Sequence, residues 1–162
     1  MITIALLAVS FIACTIPLGD SAWAAAPIIC TTQHCDGTPG DDVIKGSNNG
    51  EIIRGLTGDD TINAANGDDD VCGGGGNDKL NGGNGDDRLI GDTLLCKDEG
   101  QPGSDRINGG PGNDILTHGM GWETDSDGFK DFLDCGSGDD IALLNITIDH
   151  DEATNCEHIN PY

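Results

Sequence analysis

Acidic side chains recur at a fixed interval through the middle of this chain. Asp42, Glu51, Asp60, Asp69, Asp78 and Asp87 stand nine residues apart, and Asp105, Asp114 and Glu123 resume the same beat. Two residues after each of them, Glu123 excepted, comes an aliphatic: Ile44, Ile53, Ile62, Val71, Leu80, Leu89, Ile107 and Leu116. Two residues before most of them comes a glycine: Gly40, Gly58, Gly67, Gly76, Gly85, Gly103 and Gly112. Carboxylates are hard oxygen donors, and glycine lets backbone carbonyls approach an ion closely. Such a donor set suits a hard divalent cation. Paired carboxylates also do acid–base work, but a carboxylate bound to a cation cannot shuttle protons. A plainer role is turn capping by Asp, which accounts for the Gly–Asp pairing but for no ordered row of charge.

The whole-chain balance agrees with cation binding. The formal charge is −22, from 29 acidic and seven basic residues in 162. That field repels nucleic acid and anionic membranes, and it opposes compaction unless cations neutralise it. Aromatics are 4 %, so a conventional core would be thin in this one small domain. Glycine- and Asp-rich acidic chains are commonly disordered, yet disordered segments rarely keep a fixed period.

Ahead of this region, residues 1–26 read as a secretory signal. "ITIALLAVSFIACTIPLG" is apolar, and "SAWAAAP" offers small residues for cleavage after Ala24, Ala25 or Ala26. Lipidation of Cys14 within "FIAC" is the rival, disfavoured by Phe11 and by the short preceding segment. Pro17, Gly19 and Asp20 interrupt the run before the ~20 apolar residues of a membrane span. Export fits the cysteines. Outside the leader stand Cys30, Cys35, Cys72, Cys96, Cys135 and Cys156, an even set expected to form disulfides. "CTTQHC" at 30–35 could bind zinc through His34, but lacks a second ligand pair, so a local Cys30–Cys35 bond is expected.

Cut into nines from Gly37, the chain reads GTPGDDVIK, GSNNGEIIR, GLTGDDTIN, AANGDDDVC, GGGGNDKLN, GGNGDDRLI, GDTLLCKDE, GQPGSDRIN, GGPGNDILT and HGMGWETDS, the seventh being degenerate. These copies resemble the calcium-binding nonapeptide G-G-x-G-x-D-x-U-x of RTX proteins, which "GGGGNDKLN" and "GGPGNDILT" match in full. The resemblance covers residues 37–126. It implies an all-β fold, a parallel β-roll (a calcium-stabilised β-solenoid), with Ca²⁺ held in the turns by the carboxylates and glycines named above. Two nonapeptides then make one coil, and partners on an edge differ by 18. One edge is expected to carry Asp42, Asp60, Asp78 and Asp114, with Cys96 falling out of the series. The other carries Glu51, Asp69, Asp87, Asp105 and Glu123. Residues 37–126 hold 18 acidic and six basic side chains, a balance that about four to six Ca²⁺ would offset. Folding is expected to be coupled to calcium.

The beat breaks in "GWETDSDGFKDFLD". Glu123, Asp125, Asp127, Asp131 and Asp134, with a turn at Gly128, approximate an isolated calcium loop of the EF-hand type, and a solvated acidic loop is the equal alternative. "GSGDDIALL" beyond it is one more repeat-like turn and strand. The Cys-Gly-x-Gly-x-Asp…Asp…Cys-Glu pattern resembles the closing segment of exported β-roll modules. That resemblance suggests a Cys135–Cys156 bond in a capping segment at 127–162, which leaves Cys72 with Cys96. A lead-in at 27–36 precedes the repeats.

No G-x-S-x-G elbow and no H-E-x-x-H motif occurs. With leader and repeats subtracted, too little chain remains for an ordinary catalytic domain. The expectation is therefore a non-enzymatic protein, secreted, extracellular or periplasmic. RTX proteins that carry a C-terminal export signal lack cysteine and follow an effector domain. This chain differs on each count, so only calcium binding and the roll carry over. The role expected is structural or at the cell surface. Alternatives are a surface-recognition or adhesin-type solenoid with calcium as scaffold, or a non-catalytic remnant of a secreted hydrolase. The residues flanking each aliphatic form no Thr ladder, which speaks against a regular ligand-binding face.

Overall fold

The computed structural model describes residues 26–92, 101–119, 128–144 and 149–161. Residues 1–25 of the predicted leader, Cys96, Glu123, Asp125 and Asp127 lie outside them. Every regular element among the described residues is a β-strand. Strands β1 (Ile28–Ile29), β3 (Val43–Lys45), β5 (Thr61–Asn66), β7 (Lys79–Asn84), β9 (Arg106–Pro111), β11 (Phe132–Ser137) and β13 (Glu152–Thr154) form one sheet in that order. Strands β2 (His34–Asp36), β4 (Ile52–Thr57), β6 (Asp70–Gly75), β8 (Arg88–Asp92), β10 (Ile115–Gly119), β12 (Ile141–Leu144) and β14 (His158–Pro161) form the other. All pairings are parallel, and the chain alternates between the sheets. This is a parallel β-roll.

Local sequence accounts for each rung. The x-U-x triplet is short and often β-branched, which suits a strand. Alternation along the strand turns inward the aliphatic and the residue two places later, as Ile53 and Gly55 in β4. Glycines then bend the chain. At Gly76, φ is +123° and a Cβ would run into the backbone of Gly58 one rung away, so only glycine fits there.

The core is a single file of aliphatics from both sheets: Ile44, Ile53, Ile62, Val71, Leu80, Leu89, Ile107, Leu116 and Leu133 are buried in one cluster. Each contributes about 1.5–3 kcal/mol, one such residue per strand. That is little, and the ends need other support. Cys30–Cys35 ties the first strand pair together, and Cys135–Cys156 ties the last coil, as the closing-segment resemblance implied. Bonded Cys30 and Cys35 offer no thiolate pair to zinc. Cys72 is also disulfide-bonded.

Register overturns one expectation. The first step, Ile28 to Ile44, is 16 residues, and successive rungs are then 18 apart up to β8, but Leu89 pairs with Leu116 and Leu80 with Ile107, a step of 27. Among the described residues, β7 pairs directly with β9 and β8 with β10, so the count passes over the degenerate seventh nonapeptide. The next step is 26, Ile107 to Leu133 and Leu116 to Ala142. An odd number of skipped nonapeptides sends the following repeats to the opposite edge. Asp105 therefore follows Asp78, and Asp114 follows Asp87, the reverse of the assignment from constant spacing.

Candidate calcium ladder

The acidic residue of each rung sits where turn becomes strand. One edge carries Asp42, Asp60, Asp78, Asp105, Asp131 and Asp151. The N–H of each donates to the Oδ1 of the next, at 2.8, 2.8, 2.8, 2.7 and 3.1 Å. The other edge carries Glu51, Asp69, Asp87, Asp114, Asp140 and Glu157, linked the same way at 2.7, 2.9, 2.8, 2.8 and 3.0 Å. Their carbonyls accept in turn from the strand one rung on, as Asp60 O does from Lys79 N at 2.9 Å. Both ends of each acidic residue are thus fixed by the stack.

The second carboxylate oxygen has a different setting. The Oδ2 atoms of Asp60, Asp69, Asp78, Asp87, Asp105, Asp114 and Asp140 are buried and meet no hydrogen-bond donor. Those of Asp60, Asp78, Asp87 and Asp114 face the glycine that opens the same repeat (Gly55, Gly73, Gly82 and Gly109), and that of Asp105 faces Gly91. A Cβ on Gly55 would collide with Asp60 Oδ2 and with the carbonyl oxygen of Gly73 in the next rung. Gly82 has the same relation to Asp87 Oδ2 and the Gly109 carbonyl, and Gly109 to Asp114 Oδ2 and the Cys135 carbonyl. Missing side chains therefore open an oxygen-lined space beside these five carboxylates. Burial pushes Asp60, Asp78 and Asp87 up to about 7 and Asp69 to about 6. The N–H bond from the preceding rung opposes the rise, and the neighbouring acid's charge adds to it. Burial, then Asp92, lifts Asp105 to about 10, and burial also raises Asp114. Buried anions stacked without cationic side chains are costly unless a metal coordinates them. Oxygen-only donors of this number suit Ca²⁺.

The family model described as RTX calcium-binding nonapeptide repeat (4 copies) matches residues 46–80, 73–93 and 99–121. The chain carries RTX calcium-binding nonapeptide repeats. No curated protein and no solved structure gives a significant match. The RTX match leaves out residues 94–98, within the nonapeptide that the 27-residue step skips.

Within the RTX ladder, Asp42, Glu51, Asp60, Asp69, Asp78, Asp87, Asp105 and Asp114 are all buried. Gly58, Gly67, Gly76, Gly85 and Gly112 take positive φ. A Cβ on Gly103 would strike the Gly76 carbonyl, and Gly40 in the first rung faces open space. The contiguous loop proposed at 123–134 takes another form where it is described. Asp131 belongs to the ladder, and Asp134 lies in β11, accepting from Asn155 Nδ2 at 2.7 Å. The two point to opposite sides because their separation spans a strand rather than a turn.

Sequence reasoning put Asp131 in an isolated loop and Asp140 in a repeat-like turn without assigning either to the ladder, and it passed over Asp151 and Glu157. Each precedes an apolar residue by two places (Leu133, Ala142, Ala153 and Ile159), the same acid-x-apolar pair as in the repeats. That pair persists where the nine-residue beat does not. A second, exposed row was also missed. Asp41, Asp59, Asn77 and Ser104 form one such row, each side chain accepting from the next residue's N–H. The Asn77 bonds hold the exposed Asp59 below its usual range, in contrast to the buried row.

Proposed function

We propose that this protein is an exported calcium-binding β-roll whose folding is coupled to calcium, with a structural role outside the cell or at its surface and no catalytic activity of its own. The observation that carries the reading is the column of buried carboxylate oxygens that meet no hydrogen-bond donor beside glycine-opened carbonyls. Asp42, Asp60, Asp78 and Asp105 on one edge, and Glu51, Asp69, Asp87, Asp114 and Asp140 on the other, would hold about four to six ions between rungs. Calcium supplies the charge that lets these carboxylates stay ionised in a dry stack. The disulfides and the apolar leader support export. The outer column of one sheet runs Val43, Thr61, Lys79, Arg106, Phe132 and Glu152, which repeats no ligand-facing residue and favours a structural role over a recognition face.

Calorimetric titration with parallel circular dichroism tests the reading. Heat release and gain of strand signal are expected at roughly 10⁻⁴–10⁻³ M Ca²⁺, with Mg²⁺ a poor substitute because it demands a tighter octahedron. No heat and no structural change below ~10 mM would refute it.

A further inference from the structure

One position in the glycine column is a histidine. Along the even-numbered sheet, Gly37, Gly55, Gly73 and Gly91 occupy equivalent places, and the pairing of Ile90 with Thr117 and Asp92 with Gly119 puts His118 next. At each of the four glycines, a Cβ would run into the Oδ2 of a ladder acid: Asp42, Asp60, Asp78 and Asp105 in turn. At the fifth, the His118 ring stands in that space, with Nδ1 3.8 Å from Asp131 Oδ2. One ligand atom from each of His118, Asp131 and Asp151 lies within 4.8 Å of the others. The three residues are 1, 0 and 6 % exposed. Asp131 and Asp151 are held from behind, accepting the N–H groups of Asp105 and Asp131 at 2.7 and 3.1 Å.

We propose that His118, Asp131 and Asp151 form a site for a zinc-class divalent transition ion, separate from the calcium positions. Imidazole suits zinc and its neighbours, whereas calcium prefers oxygen alone. Two carboxylates and a neutral ring balance one divalent charge inside a buried space. Zinc–nitrogen and zinc–oxygen bonds near 2.0–2.2 Å place tetrahedral ligands about 3.3 Å apart, so a small closure of the ring and carboxylates completes the triad. The fourth position is left for water or an external ligand, as in three-ligand zinc sites. Calcium organises the rungs, and this rung takes a different metal because one glycine became histidine.

The test uses the full chain saturated with calcium, titrated with Zn²⁺ and, for its visible spectrum, Co²⁺. One equivalent of each is expected to bind in millimolar Ca²⁺, with cobalt bands showing nitrogen ligation. His118→Gly restores the residue used in the four preceding rungs, so the roll is expected to form. It should weaken Zn²⁺ binding by more than ~100-fold, beyond the 10–100-fold typical of losing an outer-shell partner. Asp151→Asn should weaken it as well, and His158→Ala, at an exposed histidine, should not. An unchanged Zn²⁺ isotherm in His118→Gly, or no Zn²⁺ bound in millimolar Ca²⁺, overturns the proposal. Calcium stoichiometry and circular dichroism of the same variant register failure of the calcium reading separately.

Discussion

Removing divalent cations at pH 7.5 should unfold the roll, and acidification without cations should restore it. In the cation-free fold, Asp60, Asp78 and Asp87 titrate near 7, Asp69 near 6 and Asp105 near 10, against 3.8 for an ordinary Asp. Each unit is worth about 1.36 kcal/mol. At pH 7.5 the penalty is then about 4 kcal/mol for each of Asp60, Asp78 and Asp87, about 3 for Asp69 and about 5 for Asp105. Neighbouring acids raise one another, so the sum of about 20 kcal/mol is an upper bound, of the size of the ~5–15 kcal/mol that holds a domain together. The sign follows from proton linkage. A folded pKa above the unfolded one means that the fold keeps protons that the unfolded chain has lost. Stability is complete below about 4 and falls as pH rises through 6–7, with Asp105 continuing to lose until about 10. The assay is far-UV circular dichroism in excess chelator from pH 8 to 4, with sedimentation at each point to establish that the chain stays monomeric. Little strand signal at pH 8, growing as pH drops below about 7, is expected. Equal strand signal in chelator and in calcium at pH 7.5, or a loss of signal on acidification, would refute the reasoning.

Asp78→Asn keeps an acceptor for the Asp60 N–H while removing a buried charge. It should lower calcium stoichiometry by calorimetry, yet raise strand content in chelator, whereas Asp70→Asn on the outer face should do neither. Replacing Cys135 and Cys156 by Ser opens a bond with a sequence separation of 21 and should cost about 3 kcal/mol in urea denaturation of the calcium-loaded protein. Leu56 and Ala65 sit at φ +85° and +86°, where an L side chain costs roughly 1–2 kcal/mol. Ala65→Gly should therefore raise the melting temperature in calcium. Gly83→Ala, whose Cβ would strike the Ala65 carbonyl, should lower it.

Much of the site was legible because its elements are local. An acid, a spacer and an aliphatic define which oxygen meets a turn and which side chain enters the core, and Asp60 with Ile62 needs no distant residue to specify that. The glycine of each turn is equally local, since positive φ at Gly76 follows from the bend itself. Edge membership was not legible. Asp105 and Asp114 have the same immediate sequence pattern whichever edge they occupy, and only hydrogen bonds to Asp78 and Asp87 distinguish the two. Nothing in the local sequence singles out His118, because the acids it meets lie 13 and 33 residues further along.

The amino-acid order by itself determined the rung: turn, carboxylate, inward aliphatic, and an overall charge that demands cations. Those features depend on side-chain chemistry and backbone sterics within nine residues. The tertiary structure alone decided the stack. How far the chain runs from one rung to the next, 27 residues at one step and 26 at the following one, is fixed by hydrogen bonding between coils and by burial of the whole file of aliphatics. Those interactions reward the register of the complete roll, and the seventh repeat, with Cys96 and Asp98 where an acid and an aliphatic belong, offers neither. That choice set which carboxylates face each other, and it brought a histidine into the space that glycines leave elsewhere.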